Sequence, residues 1–297
     1  MELVQPRISI ENLKRRAKAL GKKTGVQHSE ALDLLAAEAG FGNFNALQRA
    51  SGRPLKTFPG VKRSKSAGEH VLVSVELLGV PVVVSRHVLV PPGLNLEQLH
   101  GVIQIAMGWE NAHLFAFTVP TMPDLEFVGR FDEGTVDGHQ ITSARAEGIR
   151  IRQLIDGGND SLIYKYDFGD GWLHAVRLEY VEADWSNPEG CVLLEAKGLC
   201  PPEDCGGEPG YIGLLETFGV VERSDGSFES RDWTKKDVAD WIGRAYRPDK
   251  DLRLIDYQDR LSAFADADFS VDMLYLYEPT WRYGGLNPNR HYRKTVG

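Results

Sequence analysis

Apolar positions along this chain change rhythm near residue 69. Before it they recur every three or four residues. Ile10, Leu13, Ala17 and Leu20 fall on one helical face behind a capping Ser9, with Gly21 or Gly25 as the stop. Ser29 caps a second such stretch, with Leu32, Leu35, Ala36 and Ala39 inward and Gly40 ending it. Asn43 opens a third over residues 44–50. A run rich in Gly, Pro, Ser and Lys follows and reads as a linker. The expected organisation is a small basic helical domain at 1–52, a linker at 53–68, and a second domain at 69–297 that ends in a helical extension and tail.

Beyond residue 69 the alternation tightens to the period of strands. Residues 70–78 and 82–90 predict two strands around a turn at Gly79–Pro81. Leu96, Leu99, Ile103 and Ala106 recur at near-helical spacing, which predicts a helix over 94–107 with Asn95 as cap and Gly108 as stop. Residues 113–119 and 125–131 read as strands, and 149–155 fits either a strand or a short helix. The strongest hairpin signal joins 162–168 to 172–181. Asp170-Gly171 lies between two apolar runs, and Asp-Gly supplies the positive φ angles of a tight primed turn. Residues 210–218 and 235–245 read as helices. Unequal helices among strands, with no regular βαβ rhythm, predict an α+β fold. Its sheet should be mostly antiparallel with packed helices, preceded by a small all-α three-helix domain.

Composition adds limits. With 297 residues, 42% hydrophobic and 26% charged, the chain can build a substantial core. No segment reaches the apolar length of a membrane span, and the start of the chain lacks the basic and apolar regions of a secretory signal. Three clustered cysteines are too few for a disulfide framework, so free thiols in a cytoplasmic protein are expected. The net charge of −8 hides a split. Residues 1–65 hold thirteen Lys/Arg against five Asp/Glu, whereas the remainder holds 21 against 37. The acidic part repels phosphate, so any nucleic-acid contact would fall to the basic part. There Lys14, Arg15, Arg16 and Lys18 suit phosphates, and Asn43, Asn45, Gln48 and Arg49 suit base edges. A solvated basic face on a protein-interaction module explains the same residues more plainly.

The candidate chemistry sits in two motifs. Residues 164–174 read Y-K-Y-D-F-G-D-G-W-L-H, and residues 200–207 read C-P-P-E-D-C-G-G. Period-two alternation puts Trp172, His174, Val176 and Leu178 on one face. In one reading Trp109, His113, Tyr166, Asp167, Asp170, Trp172 and His174 line a ligand-binding cleft, with Glu203 and Asp204 projecting from a stiff double-proline loop. In the alternative, His113 or His174 joins Asp167, Glu203 or Asp204 to bind a divalent metal, and Asp167, Asp170, His174 and Glu203 hold a cation that activates water, as in a metal-dependent hydrolase or nuclease. A plainer reading makes Asp170 a turn residue and His174 a core histidine. Cys191, Cys200 and Cys205 with a histidine could form a zinc site, but the paired C-x2-C spacing that marks such sites is missing. The sequence identifies neither a cofactor nor a catalytic residue.

Three blocks in order resemble the plasmid pRiA4b ORF-3-like family, also catalogued as the passenger protein of an IS1096-type insertion element. They are L-H-G-V-I-Q-I-A-M-G-W at 99–109 with H-L-F-A-F at 113–117, Y-K-Y-D-F-G-D-G-W-L-H-A-V-R-L-E at 164–179, and C-P-P-E-D-C-G-G-E-P-G-Y at 200–211. The resemblance spans about residues 69–269 and implies an α+β protein associated with plasmids and mobile elements. The family carries a Trp-Arg pair at the start of the second strand, where this chain has Ser85-Arg86. Some members bear a resolvase label, but no nucleophilic serine with an arginine cluster stands out here. Residues 9–50 resemble a small helical domain called glyoxalase-related, a name that implies no catalysis. The expectation is therefore an accessory protein that binds a ligand or partner, with a head that engages nucleic acid or protein.

Overall fold

The structure is a computed structural model that describes residues 14, 17, 18, 20–22, 25–38, 57–64, 68, 70–120, 122–129, 142–183, 190–222, 233–241, 248 and 254–270. Helix α1 is His28–Glu38, and strand β1 is Val61–Arg63. Strands β2 (His70–Leu77) and β3 (Ser85–Val90) precede helix α2 (Leu96–Met107). Then come β4 (Phe115–Val119), β5 (Met122–Val128), β6 (Thr142–Arg145) and α3 (Ile151–Asp156). Strands β7 (Ser161–Tyr166), β8 (Trp172–Ala183) and β9 (Val192–Lys197) follow, and α4 (Gly207–Thr217), α5 (Lys235–Trp241) and α6 (Leu254–Asp266) complete the described elements. One sheet runs β6-β5-β4-β7-β8-β2-β3-β9, with β1 paired to the far end of β8. Every pairing among the described strands is antiparallel except β5 with β6, so the α+β, mostly antiparallel expectation holds.

Alternation along the central strands builds two apolar layers. Val71, Val73, Val75 and Leu77 of β2, Leu162, Tyr164 and Tyr166 of β7, and Trp172, Val176 and Leu178 of β8 face the main core. Helix α2 supplies Leu96, Leu99, Val102, Ile103 and Met107 to that same core. On the opposite face, Leu78, Ile163 and Ala175 pack against Ala31, Leu35 and Ala36 of α1, with Ala17 from the preceding helical residues. Farther along that face, Leu72, Leu89, Val181 and Val192 form a third cluster. Burial on both faces explains why β2 reads as a nearly unbroken valine-rich run.

Local signals place α2 closely. Asn95 accepts the Gln98 amide at 2.8 Å while Gln98 returns a bond to the Asn95 amide at 3.0 Å, and Gly108 ends the helix at φ 95°. Asn95→Ala is expected to cost about 1 kcal/mol, read as a lower urea midpoint at unchanged slope.

Several expectations need correction. Tyr166 pairs with Trp172, leaving a five-residue loop, so Asp170-Gly171 does not make a two-residue primed turn. Left-handed backbone falls instead at Asp167 (φ 54°) and Gly171 (φ 72°). The cause is the Asp167 side chain, which accepts the Gly169 and Asp170 amides and closes an Asx turn. The ambiguous 149–155 stretch resolves as helix α3. Strand β1 lies within the stretch read as linker, and β9 occupies a stretch where no element is expected from the sequence. The third expected N-terminal helix, Ser9, Ile10, Leu13 and residues 242–245 lie outside the described residues.

Candidate functional site

Three loops converge at one end of the sheet. The first follows α2 and carries Trp109 to Leu114, the second joins β7 to β8, and the third is the double-proline segment before α4. Strand pairing brings the first two together. Phe115 is paired with Tyr166, so Asp167 lies just past that pair and donates its amide to the Leu114 carbonyl at 3.0 Å. The third loop is tied in by Trp109 Nε1, which donates to the Pro201 carbonyl at 2.9 Å, and by the Gly206 amide, which donates to Asp170 Oδ2 at 3.1 Å.

His113, Asp167 and Glu203 offer ligand atoms that all lie within 4.8 Å of one another. His113 Nε2 is 3.6 Å from Asp167 Oδ2, 3.8 Å from Glu203 Oε2 and 3.2 Å from Asp204 Oδ1. The Glu203 side chain is only 9% exposed, whereas that of Asp204 is 73% exposed and marks the open side. Each buried carboxylate has one oxygen occupied and one facing the imidazole. Glu203 Oε1 accepts the Tyr166 hydroxyl at 2.8 Å and the Glu110 amide at 2.9 Å. Asp167 Oδ1 accepts the amides of Gly169 at 2.9 Å and Asp170 at 3.2 Å. Glu203 Oε2 and His113 Nε2 are buried without a hydrogen-bond partner. Burial, reinforced by the Asp167 and Asp204 charges, lifts the Glu203 carboxyl to about 7, although Tyr166 and His113 pull it down. Two buried polar atoms that face one another without a hydrogen bond are costly unless a cation or proton lies between them.

A second polar network holds the first loop from behind, and sequence reasoning missed it. His100 Nε2 donates to Asn111 Oδ1 at 2.7 Å, and Tyr164 Oη donates to His100 Nδ1 at 2.8 Å. Gln104 Nε2 donates to the same hydroxyl at 2.9 Å, and Gln104 Oε1 accepts the Asn111 amide at 2.8 Å. Asn111 is left-handed at φ 55°, a conformation asparagine tolerates. Burial lowers the His100 pKa to about 3, so its ring is neutral, and Asn111 Oδ1, an acceptor, selects the tautomer with the proton on Nε2. The available signal was His100 and Gln104 at i, i+4 within an otherwise apolar helix face.

The residues singled out from sequence therefore separate. His113, Asp167, Glu203 and Asp204 meet, and Trp109 and Tyr166, with ring centroids 4.6 Å apart, lie beneath them. His174 does not join them. It is fully buried, donates Nδ1 to the Tyr164 carbonyl at 3.1 Å and packs edge-on against Trp109. Asp170 and Trp172 instead border a cavity of about 630 Å³ with Leu78, Gly79, Gly206 and Glu208. Cys191, Cys200 and Cys205 are free and buried, and burial pushes all three thiols up. Among the described residues they join no metal-competent group. Lys14 and Lys18 are exposed on the helical stretch before α1, and Arg15, Arg16, Asn43, Asn45, Gln48 and Arg49 lie outside the described residues. Among the described residues no helix is long and apolar enough to cross a membrane.

The molecule is thus an α+β protein in which one mostly antiparallel sheet presents a His-Asp-Glu cluster at its loop end. Residues 69–253 match the model of the plasmid pRiA4b ORF-3-like protein family, and the chain belongs to that family. It is 39% identical over 152 residues to the uncharacterized protein y4hQ of Sinorhizobium fredii, covering 50% of this chain and 72% of that protein. Among solved structures it is similar to the protein of unknown function MM3350 from Methanosarcina mazei Go1. That likeness has 24% identity and a TM-score of 0.48, covering 63% of this chain and 97% of the other.

Proposed function

We propose that this protein binds a divalent cation through His113 Nε2, Asp167 Oδ2 and Glu203 Oε2 and uses it to activate water in a hydrolytic reaction. The observation that carries the reading is the pair of buried atoms without a hydrogen bond, His113 Nε2 and Glu203 Oε2, 3.8 Å apart beside Asp167. A cation there satisfies both and relieves the repulsion between the carboxylates. Three protein ligands leave open positions for water and substrate, which distinguishes catalytic from closed structural sites. Asp204, exposed and 3.2 Å from His113 Nε2, stands where it can accept a proton from that water. The surrounding carboxylates Asp167, Asp170, Glu203 and Asp204 favour a neutral or cationic substrate over nucleic acid.

The test is metal analysis and calorimetric titration of chelator-treated protein. Wild type is expected to take up one ion per chain. His113→Ala and Glu203→Gln should each lose roughly 100-fold or more in affinity, a larger loss than outer-sphere changes give. Equal uptake by Glu203→Gln would remove the cluster as the binding site. Substoichiometric, chelator-insensitive metal in wild type would remove the reading altogether.

A further inference from the structure

We propose that this site selects a transition-metal ion of the manganese, iron, cobalt and zinc group over calcium and magnesium, and that Tyr166 enforces the choice by holding Glu203 to one coordinating oxygen. The inference rests on the cation reading above and specifies the ion it takes.

The lone pairs left free at the site decide between ions. Calcium takes six to eight oxygens and commonly a bidentate carboxylate. Glu203 cannot chelate in that way, because Oε1 already holds the Tyr166 hydroxyl at 2.8 Å and the Glu110 amide at 2.9 Å. Asp167 is restricted likewise by the Gly169 and Asp170 amides on Oδ1. Two single oxygens and one imidazole nitrogen remain, with exposed Asp204 as a further oxygen. Magnesium prefers oxygen ligands and retains its waters, so an imidazole nitrogen is a poor partner for it. One nitrogen and two monodentate carboxylates with open positions suit the later divalent ions.

Tyr166 is placed to set this geometry. Its hydroxyl donates to Glu203 and accepts the Ala112 amide at 3.0 Å, which links the loop bearing His113 to the loop bearing Glu203. Its ring is fully buried, with Trp109 at 4.6 Å and His113 at 5.9 Å. The side chain touches no reacting atom and acts as a positioning residue.

The experiment titrates Mn²⁺, Zn²⁺, Mg²⁺ and Ca²⁺ separately into chelator-stripped full-length protein, with the Co²⁺ absorption spectrum as a readout of coordination. Wild type should bind Mn²⁺ and Zn²⁺ at one per chain and about 100-fold or more tighter than Mg²⁺ or Ca²⁺. Tyr166→Phe should weaken Mn²⁺ and Zn²⁺ by about 10- to 100-fold, leave Ca²⁺ level or improved, and shift the Co²⁺ spectrum. Calcium or magnesium within tenfold of manganese in wild type would overturn the inference while leaving the cation reading intact. An unchanged ratio in a folded Tyr166→Phe would overturn the role given to Tyr166. No binding of any of these ions would end both ideas. Should Tyr166→Phe fail to fold, the wild-type ratio still decides the ion class.

Discussion

Replacing Arg86 with methionine is expected to lower the free energy of unfolding by about 2–3 kcal/mol, because buried carbonyls lose their donor, a large share of the stability of a domain this size. Arg86 is fully buried, and its Nε donates to the Ala106 carbonyl in the last turn of α2. Its Nη1 donates to the carbonyls of Ser85 and Lys197, each at 2.8 Å. One guanidinium therefore joins a helix end, strand β3 and edge strand β9. The negative end of the helix dipole and the Tyr257 ring, 5.8 Å from the guanidinium carbon, favour the cation. Methionine would fill much of the volume yet leave three carbonyls without their donor. Lysine would keep the charge but not the planar fork, so Arg86→Lys should recover only part of the loss. Urea denaturation at neutral pH measures both. Unchanged stability in Arg86→Met would show that freeing the protein from a desolvated charge outweighs the three bonds.

The second large effect is acid lability of the metal-free protein. Burial holds His100 and His174 at about 3, well below their ordinary value, so the folded state resists protons that the unfolded state accepts. Their contribution is present above about pH 6.5 and is lost as pH falls toward 3. Glu203 has the opposite sign. Its folded value of about 7 lies above the ordinary carboxyl range, so it adds stability as pH falls from about 7 to 4.5. Between pH 6.5 and 4.5 it offsets roughly one histidine, and below 4.5 both histidines act unopposed. Stability should decline gently at first and then fall by roughly 2.7 kcal/mol per pH unit, for a net loss of roughly 5 kcal/mol near pH 3.5. Glu203→Gln should move the start of the steep limb from about pH 4.5 up to about 6.5, and His174→Leu should roughly halve its slope. Chemical melts across pH 3.5–7.5 test this, and a flat profile would contradict neutral buried histidines.

The difference between His113 and His174 shows where reading the chain stops. Alternation correctly put His174 on a face with Trp172, Val176 and Leu178, and that face is core. The same regularity made it an unsuitable ligand, because a ring enclosed by a packed sheet face is far from solvent. His113, expected at the head of a strand over 113–119, lies instead in the loop before β4, which starts at Phe115. Its partners are 54 and 90 residues further along the chain. Only the pairing of Phe115 with Tyr166 and the Trp109–Pro201 bond bring them within reach. Asp167 and Glu203 were among the candidates, but nothing local told them from Asp170 and Asp204.

By itself the amino-acid order determined the elements whose causes are local. The capped helix α2, the β7–β8 hairpin and the α+β character follow from side-chain periodicity and from stop residues that act within a few positions. The family blocks were equally legible, being strings of residues. Tertiary structure alone decided the edge strand Val192–Lys197, whose run of apolar residues has no strand alternation and which is held by pairing with β3 and by Gln258 of α6. It also decided the loop shape at Asp167, where a side-chain acceptor outcompeted the Asp-Gly signal. Above all it decided which of the many acids and histidines share a site, because that depends on strand register and loop-to-loop hydrogen bonds between residues distant in the chain.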